Sequence, residues 1–471
     1  MAADLLSILN TAQTSLAAQQ AVLATTGHNI NNANTPGYSK QTAVLEAVTP
    51  AEQVNGAYIG RGATLTTVTQ ARDKFIESQV PQAFANAAFS SAKSNALAAY
   101  SGLDPSSSGG VGAAVSTFYA NLSALAQNPG DTGLRTTFLG AASAMAQAFQ
   151  NASGSIEAAR SGLDASVGSL ASQINSETAA VAQLNDAINQ ASASGGTPND
   201  LLDQRQQHLD QLASLAGATI VPTSTAAVNV YLPGGLALVA GDRTATLSTQ
   251  PLPPEASGLP SHVGLVYTPS DGSAPVSLQG SAVGGQLGGL LDARDGALAT
   301  AGTQLDGLAA DLATALNQQS QAGYLTSGTA GGPLFDVGAG GRGSAARMKL
   351  LVTDPSQLAL AASAAGGSGD AGNANALLAT ASATLPTSQA NVQATVSAIT
   401  SSYGATAATA NAFAAQDAAV KDNLVTMRAS ASGVSIDDEM ITLQQAQRGY
   451  EAIARVITTA DQMMQTLLQI Q

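Results

Sequence analysis

The stretch Ser435–Gln469, SIDDEMITLQQAQRGYEAIARVITTADQMMQTLLQ, decides the fold. From Ile436 a seam steps through Met440, Leu443, Gln447, Tyr450, Ala454, Ile457, Asp461, Met464 and Leu468. The steps alternate four and three, which is the coiled-coil repeat. Ser435 stands at the N-cap position after the helix-breaking Gly433, and Asp438 completes a Ser-x-x-Asp variant of the capping box. Asp437, Asp438 and Glu439 set negative charge on the positive end of the helix dipole. As metal ligands the three acids lack a His or further carboxylate at ligand spacing. The helix would be about 50 Å long at 1.5 Å per residue, and an amphipathic face of that length needs an equally long partner.

A matching seam lies near the other end of the chain. It runs through Leu9, Ala12, Leu16, Gln19, Leu23, Thr26 and Ile30 on a helix expected over 4–30. A chain with a seam on its first and last helices can pair them with each other or with a neighbouring copy. That is the pattern of a subunit in an assembly.

Composition agrees. Hydrophobic residues make up 45% of the 471, yet aromatics are only 4% and there is no Trp. Cores dominated by Ala, Leu and Val suit long helical bundles better than a compact enzyme interior. The absence of Cys excludes disulfides, thiolate nucleophiles and Cys-ligated zinc. A net charge of −14 argues against nucleic acid and anionic membrane surfaces as partners. No run reaches the length of a membrane span, and Asp4, Asn10, Thr11 and Gln13 interrupt any secretory signal. The protein is expected in the cytoplasm or exported by a route that reads something other than a cleaved leader.

Between the ends the sequence predicts helix over 69–103, with Pro81 as a kink or break, then a Ser/Gly-rich linker at 104–112. Helix follows over 113–193, interrupted near 128–130 and at Gly154, and again over 201–215, stopped by Gly217. Residues 218–278 change character: short β-branched runs split by Gly and Pro predict a small all-β domain. Helix resumes over 286–321 with Leu287, Leu291, Leu298, Leu305, Leu308, Leu312 and Leu316 on one stripe, and again over 388–430. A Gly-rich connection spans 323–343, and 365–373 reads as low-complexity and mobile. The fold class is therefore mainly α with a small inserted all-β domain: an elongated helical bundle with paired N- and C-terminal helices. The expected division is 1–50 with 431–471 as a terminal coiled coil, 51–217 with 279–430 as the bundle, and 218–278 as an insertion at its far tip.

Catalytic patterns are scarce. Gly338-Ala-Gly340-Gly-Arg-Gly343 matches G-x-G-x-x-G, but Phe335–Val337 is a poor strand and no acid stands about 20 residues on. It reads as a flexible connector. His28, His208 and His262 lie in separate segments, and the helical ones read as surface residues. There is no nucleophile elbow. No catalytic, cofactor-binding or metal residues are assigned. Asn199-Asp-Leu-Leu-Asp-Gln-Arg205 reads as a capped helix start, with a docking element as the competing reading.

Asn31-Asn32-Ala33-Asn34-Thr35-Pro36-Gly37-Tyr38-Ser39-Lys40-Gln41 is the densest local motif. Side-chain amides bond their own backbone, Pro fixes φ and Gly permits φ > 0, so the segment has one preferred shape with a protruding Tyr. It is either a helix-ending turn or a buried corner in an assembly. Asn-Ala-Asn-Thr-Pro-Gly-Tyr after an amphipathic first helix resembles the signature of the bacterial flagellar rod/hook axial protein family. The segment from Ser432 through Leu468 resembles that family's C-terminus. Tyr38-Ser-Lys-Gln and Asn199-Asp-Leu-Leu-Asp-Gln-Arg are similar to its hook-associated members at the hook–filament junction.

The resemblance implies a non-enzymatic structural protein without cofactors, exported unfolded by the flagellar type III apparatus to the extracellular flagellum. It implies self-association into a ring, with the hook protein and a second hook–filament junction protein as partners. It also implies a small export chaperone at the C-terminal region. The expected subunit-interface residues are Leu9, Leu16, Leu23, Ile30, Asn32, Asn34, Thr35, Pro36, Gly37, Tyr38, Met440, Leu443, Tyr450, Ile457, Met464 and Leu468. The alternative within the family is a rod or hook subunit. Outside it, the rivals are a nucleotide-dependent enzyme using Gly338–Gly343 and a free coiled-coil adhesin.

Overall fold

A computed structural model describes residues 2–49, 53–54, 57–58, 60–98, 110–256 and 258–469. Residues 104–109 of the expected Ser/Gly-rich linker lie outside the described residues, as does the side chain of Leu468, while 111–112 already belong to a helix. In chain order the elements begin with α1 (Ala2–Asn32), β1 (Gln41–Ala47), β2 (Gln53–Val54), β3 (Ala57–Tyr58), β4 (Ala63–Gln70) and α2 (Lys74–Ala98). Then come α3 (Val111–Gln127), α4 (Thr132–Ala193) and α5 (Asn199–Ala216). The β segment holds β5 (Thr219–Pro222), β6 (Val228–Tyr231), β7 (Ala237–Ala240), β8 (Arg243–Thr244), β9 (Thr246–Pro251), β10 (Val263–Thr268) and β11 (Val276–Leu278). After it stand α6 (Gly285–Asp292), a π-helical turn (Ala293–Leu298) and α7 (Ala299–Ala322). The short elements β12 (Phe335–Asp336), α8 (Ser344–Arg347), β13 (Lys349–Leu350) and α9 (Gly372–Ala379) lead to α10 (Val392–Ser432) and α11 (Ile436–Gln469).

α1 and α11 pack along each other. On α1 the buried residues are Leu5, Ala12, Ala18, Thr26 and Asn29, with Leu9, Leu16, Gln19, Leu23 and Ile30 half-buried beside them. On α11 the buried residues are Glu439, Ala446 and Ala460, spaced by multiples of seven, with Ile453 half-buried on the same row. Leu443, Tyr450, Ile457 and Met464 form the half-buried companion row. The sequence seam thus holds one of the two rows of α11. Its other row, through Met440, Gln447 and Asp461, is one residue out of register and faces solvent. Small residues explain the shift: Gln19 lies against Gly449, 3.2 Å from where a Cβ would stand, so α1 approaches the flank that carries Ala and Gly. The N-cap holds as read, with Asp438 N–H donating to Ser435 Oγ at 3.4 Å.

β1 and β4 form an antiparallel ribbon, bulged between Val44 and Leu45, that folds back along α1. Behind it, α2 continues through Pro81 and runs antiparallel to α10. Tyr403 Oη donates to Leu97 O at 2.8 Å, Ser90 Oγ bonds the Asp417 carboxylate, and Arg428 lies 5.9 Å over the Phe84 ring. α4 is one uninterrupted helix of 62 residues, so Gly154 does not break it. With intrahelical bonds satisfied on both sides, one Gly costs only about 1 kcal/mol, too little to end so long a helix. The whole leucine stripe from Leu287 to Leu316 is buried against α4 and its neighbours.

Residues 218–278 form two antiparallel sheets, ordered β5-β6-β7-β8 and β11-β10-β9. They pack along α4 and share one continuous apolar core with it, through Val230, Leu238, Val239, Leu247 and Leu265. Carboxamides on the helices fasten strand backbone. Asn175 Oδ1 accepts from Leu247 N while its Nδ2 donates to Leu247 O, both at 2.8 Å. Fully buried Asn185 does the same for Val228 and also reaches Gly241 O. Asn317 repeats the device on Leu334 and Phe335. Residues 365–373 are also tied down, since the Asp370 carboxylate accepts from Ala362 N and Gly372 N.

Candidate assembly corner

The corner begins where α1 runs out of partners for its last carbonyls. Asn32 Nδ2 donates to His28 O at 3.0 Å, and Thr35 Oγ1 donates to Asn32 Oδ1 at 3.2 Å. Two turns follow, Thr35 N to Asn32 O and Tyr38 N to Thr35 O, and the second places Gly37 at φ 77°. Asn34, Thr35, Pro36 and Gly37 face solvent. Tyr38 turns inward: its hydroxyl donates to Asn29 Oδ1 at 2.8 Å and its ring meets His28 edge-on. Burial, then the charges of Asp200, Asp203 and Glu439, push the Tyr38 hydroxyl well above the usual phenol range.

Asn29 and Asp203 are the two buried knots. Asn29 accepts from Gln41 N at 2.9 Å and donates to Gln41 O at 2.8 Å and Glu439 Oε2 at 3.0 Å. Lys40 Nζ reaches the other Glu439 oxygen at 2.8 Å, so α1, the loop and α11 meet at one carboxylate. Asp203 accepts from Ser39 N at 3.0 Å, Ser39 Oγ at 2.8 Å and Arg72 Nη2 at 2.6 Å. Asp200 takes Gln41 Nε2 at 2.7 Å and lies 3.2 Å from His28 Nε2. Asn199 Nδ2 donates to Val68 O, and Gln70 Nε2 donates back to Asn199 O. The start of α5 is therefore a docking element. The capped-start reading is corrected, because Pro198 holds the N-cap position and Asn199 spends its amide on β4 and Gln41. Arg205 completes the motif on the far side, bonding Asn185 Oδ1 and Ala226 O; burial, then the nearby Arg72, pushes it down to about 10.

The apolar residues expected at the interface are spread along the terminal pair. Leu9, Leu16, Leu23, Ile30, Leu443, Tyr450, Ile457 and Met464 are half-buried, and Met440 is 41% exposed. Sequence reading missed the histidine partners. His208 Nδ1 lies 2.6 Å from Glu177. His262 is buried with Nε2 3.0 Å from Glu157 and Nδ1 2.9 Å from Asp164, inside a network with Arg160, Arg294, Glu255 and Arg342. Burial alone would raise the Glu255 carboxyl, but hydrogen bonds and charge from Arg160 and Arg342 outweigh it and hold it at about 2.

The Gly338–Gly343 loop takes left-handed φ at all four glycines, and the amides at its two ends bond internal carboxylates, Gly338 N to Asp336 and Gly343 N to Asp306. Buried Asp306 accepts from Gly343 N at 2.8 Å and Ala345 N at 3.0 Å. An internal carboxylate sits where a bound phosphate would, so the loop is a structural clasp. Among the described residues no cluster of three or more His, Cys, Asp or Glu could hold a metal, and no helix is long and apolar enough to cross a membrane. What this hydrogen-bond network can do is hold α1, the loop after it, α5 and α11 together.

Known protein families match this chain segment by segment. Residues 102–335 match the family model described as the flagellar hook-associated protein FlgK helical domain. Residues 9–38 match the flagella basal body rod protein model, and 428–470 the flagellar basal body rod FlgEFG protein C-terminal model. Flagellar hook-associated protein 1 of Bacillus subtilis is 26% identical over 98% of this chain and 97% of its own length. Its Escherichia coli namesake is 25% identical over 70% of this chain, which aligns with only 60% of that longer protein. The solved flagellar hook junction protein FlgK from Burkholderia pseudomallei has the same fold, with a TM-score of 0.68 at 19% identity over 75% of this chain and 100% of that one. With a rod-type segment at each end, a hook-associated midsection between them, and the end segments joined at one corner, this chain belongs to the flagellar hook-associated protein 1 family.

Proposed function

We propose that this chain is a structural, non-enzymatic subunit of the bacterial flagellum that forms an adaptor ring between hook and filament. The terminal pair, bare on one flank, carries this reading. Ile436, Met440, Ile441, Val456 and Met463 on α11, and Leu6 and Ile8 on α1, are large apolar side chains exposed along one slender element. Such a surface belongs against another subunit. A rod or hook subunit would present similar ends, and the match of 102–335 to the hook-associated helical domain favours the junction.

On this reading residues 1–50 and 431–471 line the axis, 51–217 with 279–430 form the bundle, and 218–278 face outward. The half-buried Leu9, Leu16, Leu23, Ile30, Leu443, Tyr450, Ile457 and Met464 serve the ring together with Met440, Leu468 and the exposed corner at Asn34–Gly37. Copies of the chain pack side by side, with the hook protein on one side and a second junction protein on the other. The chain reaches the outside unfolded through the flagellar type III apparatus, its C-terminal stripe covered by a small chaperone until then. The test compares the full chain with a 1–431 variant. The truncated protein should keep the melting of its bundle yet lose chaperone binding and be missing from purified hook–filament junctions. Normal incorporation of the truncated chain would refute the reading.

A further inference from the structure

His262 stands at the end of the connection between β9 and β10, immediately before Val263 opens β10. It is 5% exposed, and both ring nitrogens point at carboxylates of α4. Nε2 lies 3.0 Å from Glu157 Oε2, and Nδ1 lies 2.9 Å from Asp164 Oδ2. An ionised carboxylate only accepts, and a neutral imidazole donates from one nitrogen alone. A neutral ring would therefore set a lone pair against a carboxylate oxygen in a buried place. The other two histidines face no such conflict. His28 has Asp200 on Nε2 and the Asn32 amide on Nδ1, and His208 has Glu177 on Nδ1. One neutral tautomer serves each of them.

A proton placed on either acid instead would be opposed by that acid's neighbours. Glu157 takes Arg160 Nη1 on both oxygens, and Asp164 takes Arg294 Nη1. A guanidinium beside a carboxylate favours the ionised form. The wider surroundings point the same way. α4 contributes Glu157, Arg160 and Asp164, and the π-helical turn Arg294 and Asp295. The β9–β10 connection contributes Glu255, the glycine loop Arg342 and α7 Asp306. Five carboxylates meet three guanidiniums in this network, so a positive ring moves it toward balance. The ring's position decides what the proton holds. Leu252 N donates to His262 O, which joins the end of β9 to the start of β10, and Arg294 Nη1 donates to Val263 O at 2.8 Å.

We propose that His262 is a proton-dependent latch: its ring carries both protons in the folded chain, clamps this end of the three-stranded sheet to α4, and lets go as alkaline pH removes one of them. The latch rests on the fold alone and stands whether or not the chain serves the junction. Its sign follows from linkage. In the unfolded chain a histidine gives up its proton near its ordinary value of about 6.5, whereas the closed site keeps it, so closure weakens as pH rises.

The full chain has three histidines, so 15N-histidine labelling gives three ring signals by NMR. The His262 signal is the one that survives both His28→Gln and His208→Gln. At about pH 7.5 both ring nitrogens of His262 should be protonated, and a ring with one protonated nitrogen would overturn the proposal. Proteolysis of the native chain within 246–278 is then followed from about pH 6.5 to 9, each rate divided by the protease's rate on an unfolded peptide. The relative rate should climb by up to about tenfold per pH unit, the limit for one bound proton. Asp164→Asn removes the conflict, because a neutral ring then donates to Glu157 and accepts from the new carboxamide, so its relative rate should stay flat. A flat rate in the unmodified chain, or an equal climb in Asp164→Asn, would contradict the latch. The ring measurement needs no change at Asp164, so it decides the matter even where that variant fails to fold.

Discussion

At Gly37 a backbone requirement and a packing requirement coincide. Its φ of 77° penalises any Cβ, and a Cβ there would run into the side chain of Gln207, which bonds Pro36 O. Gly37→Val should cost on the order of 1–3 kcal/mol in urea melting. Gly37→Asn, which tolerates the left-handed region, should cost less. Tyr38→Phe removes the bond to Asn29 and should cost about 1 kcal/mol. It should also change the alkaline limb of stability. The folded Tyr38 hydroxyl is held above its ordinary 10.0, so the unfolded chain gives up that proton first. The contribution is complete below about pH 10 and is lost as pH rises beyond it. Burial pushes Tyr403 up to about 12, in the same direction. Urea midpoints measured from about pH 9 to 11 should fall, and fall less steeply in Tyr38→Phe. An identical slope would show that Tyr38 is not shielded as described.

Among the elements, α4 holds the β segment by side-chain amides that imitate a neighbouring strand. Asn185→Leu keeps volume but strips partners from Val228 N, Val228 O, Gly241 O and Arg205. It should cost about 2–4 kcal/mol and open 219–278 to protease before the bundle yields. The terminal pair should behave differently. Its buried side chains are mostly Ala and short polar residues, so it buries little apolar area, and amides around Leu16 and Leu443 should exchange far faster in monomer than those of α4. Strong protection there would contradict a pair that relies on assembly. These contrasts also show what the sequence made legible. The Ser435 cap, the Gly217 stop at φ 69° and the leucine stripe depend on neighbours within a few turns, and all were readable. The Asp203–Ser39 bond spans 164 residues and the His262–Glu157 contact 105, and no local pattern announces either. The α11 register was half-legible, because hydropathy marked Met440 while close approach to Gly449 selected Glu439, Ala446 and Ala460.

On the scale of the whole molecule, a rigid bundle and β segment share one core, while a long helix pair leaves that body through a single polar corner. Asn29, Glu439 and Asp203 are the pins of that corner, so damage there should uncouple the pair without melting the bundle. Glu439→Gln should weaken the ties to Lys40 and Asn29, lower filament attachment and leave the bundle's melting midpoint within about 1 °C, since the pair contributes little to the shared core. Whether this chain joins hook to filament is tested most directly by electron microscopy of cells lacking its gene. Hooks that carry filaments are counted with and without the full chain supplied in trans. Bare hooks and filament protein released into the medium are expected, with filaments restored by the full chain and not by residues 1–431 alone. Normal filaments on the deletion cells would contradict a junction role.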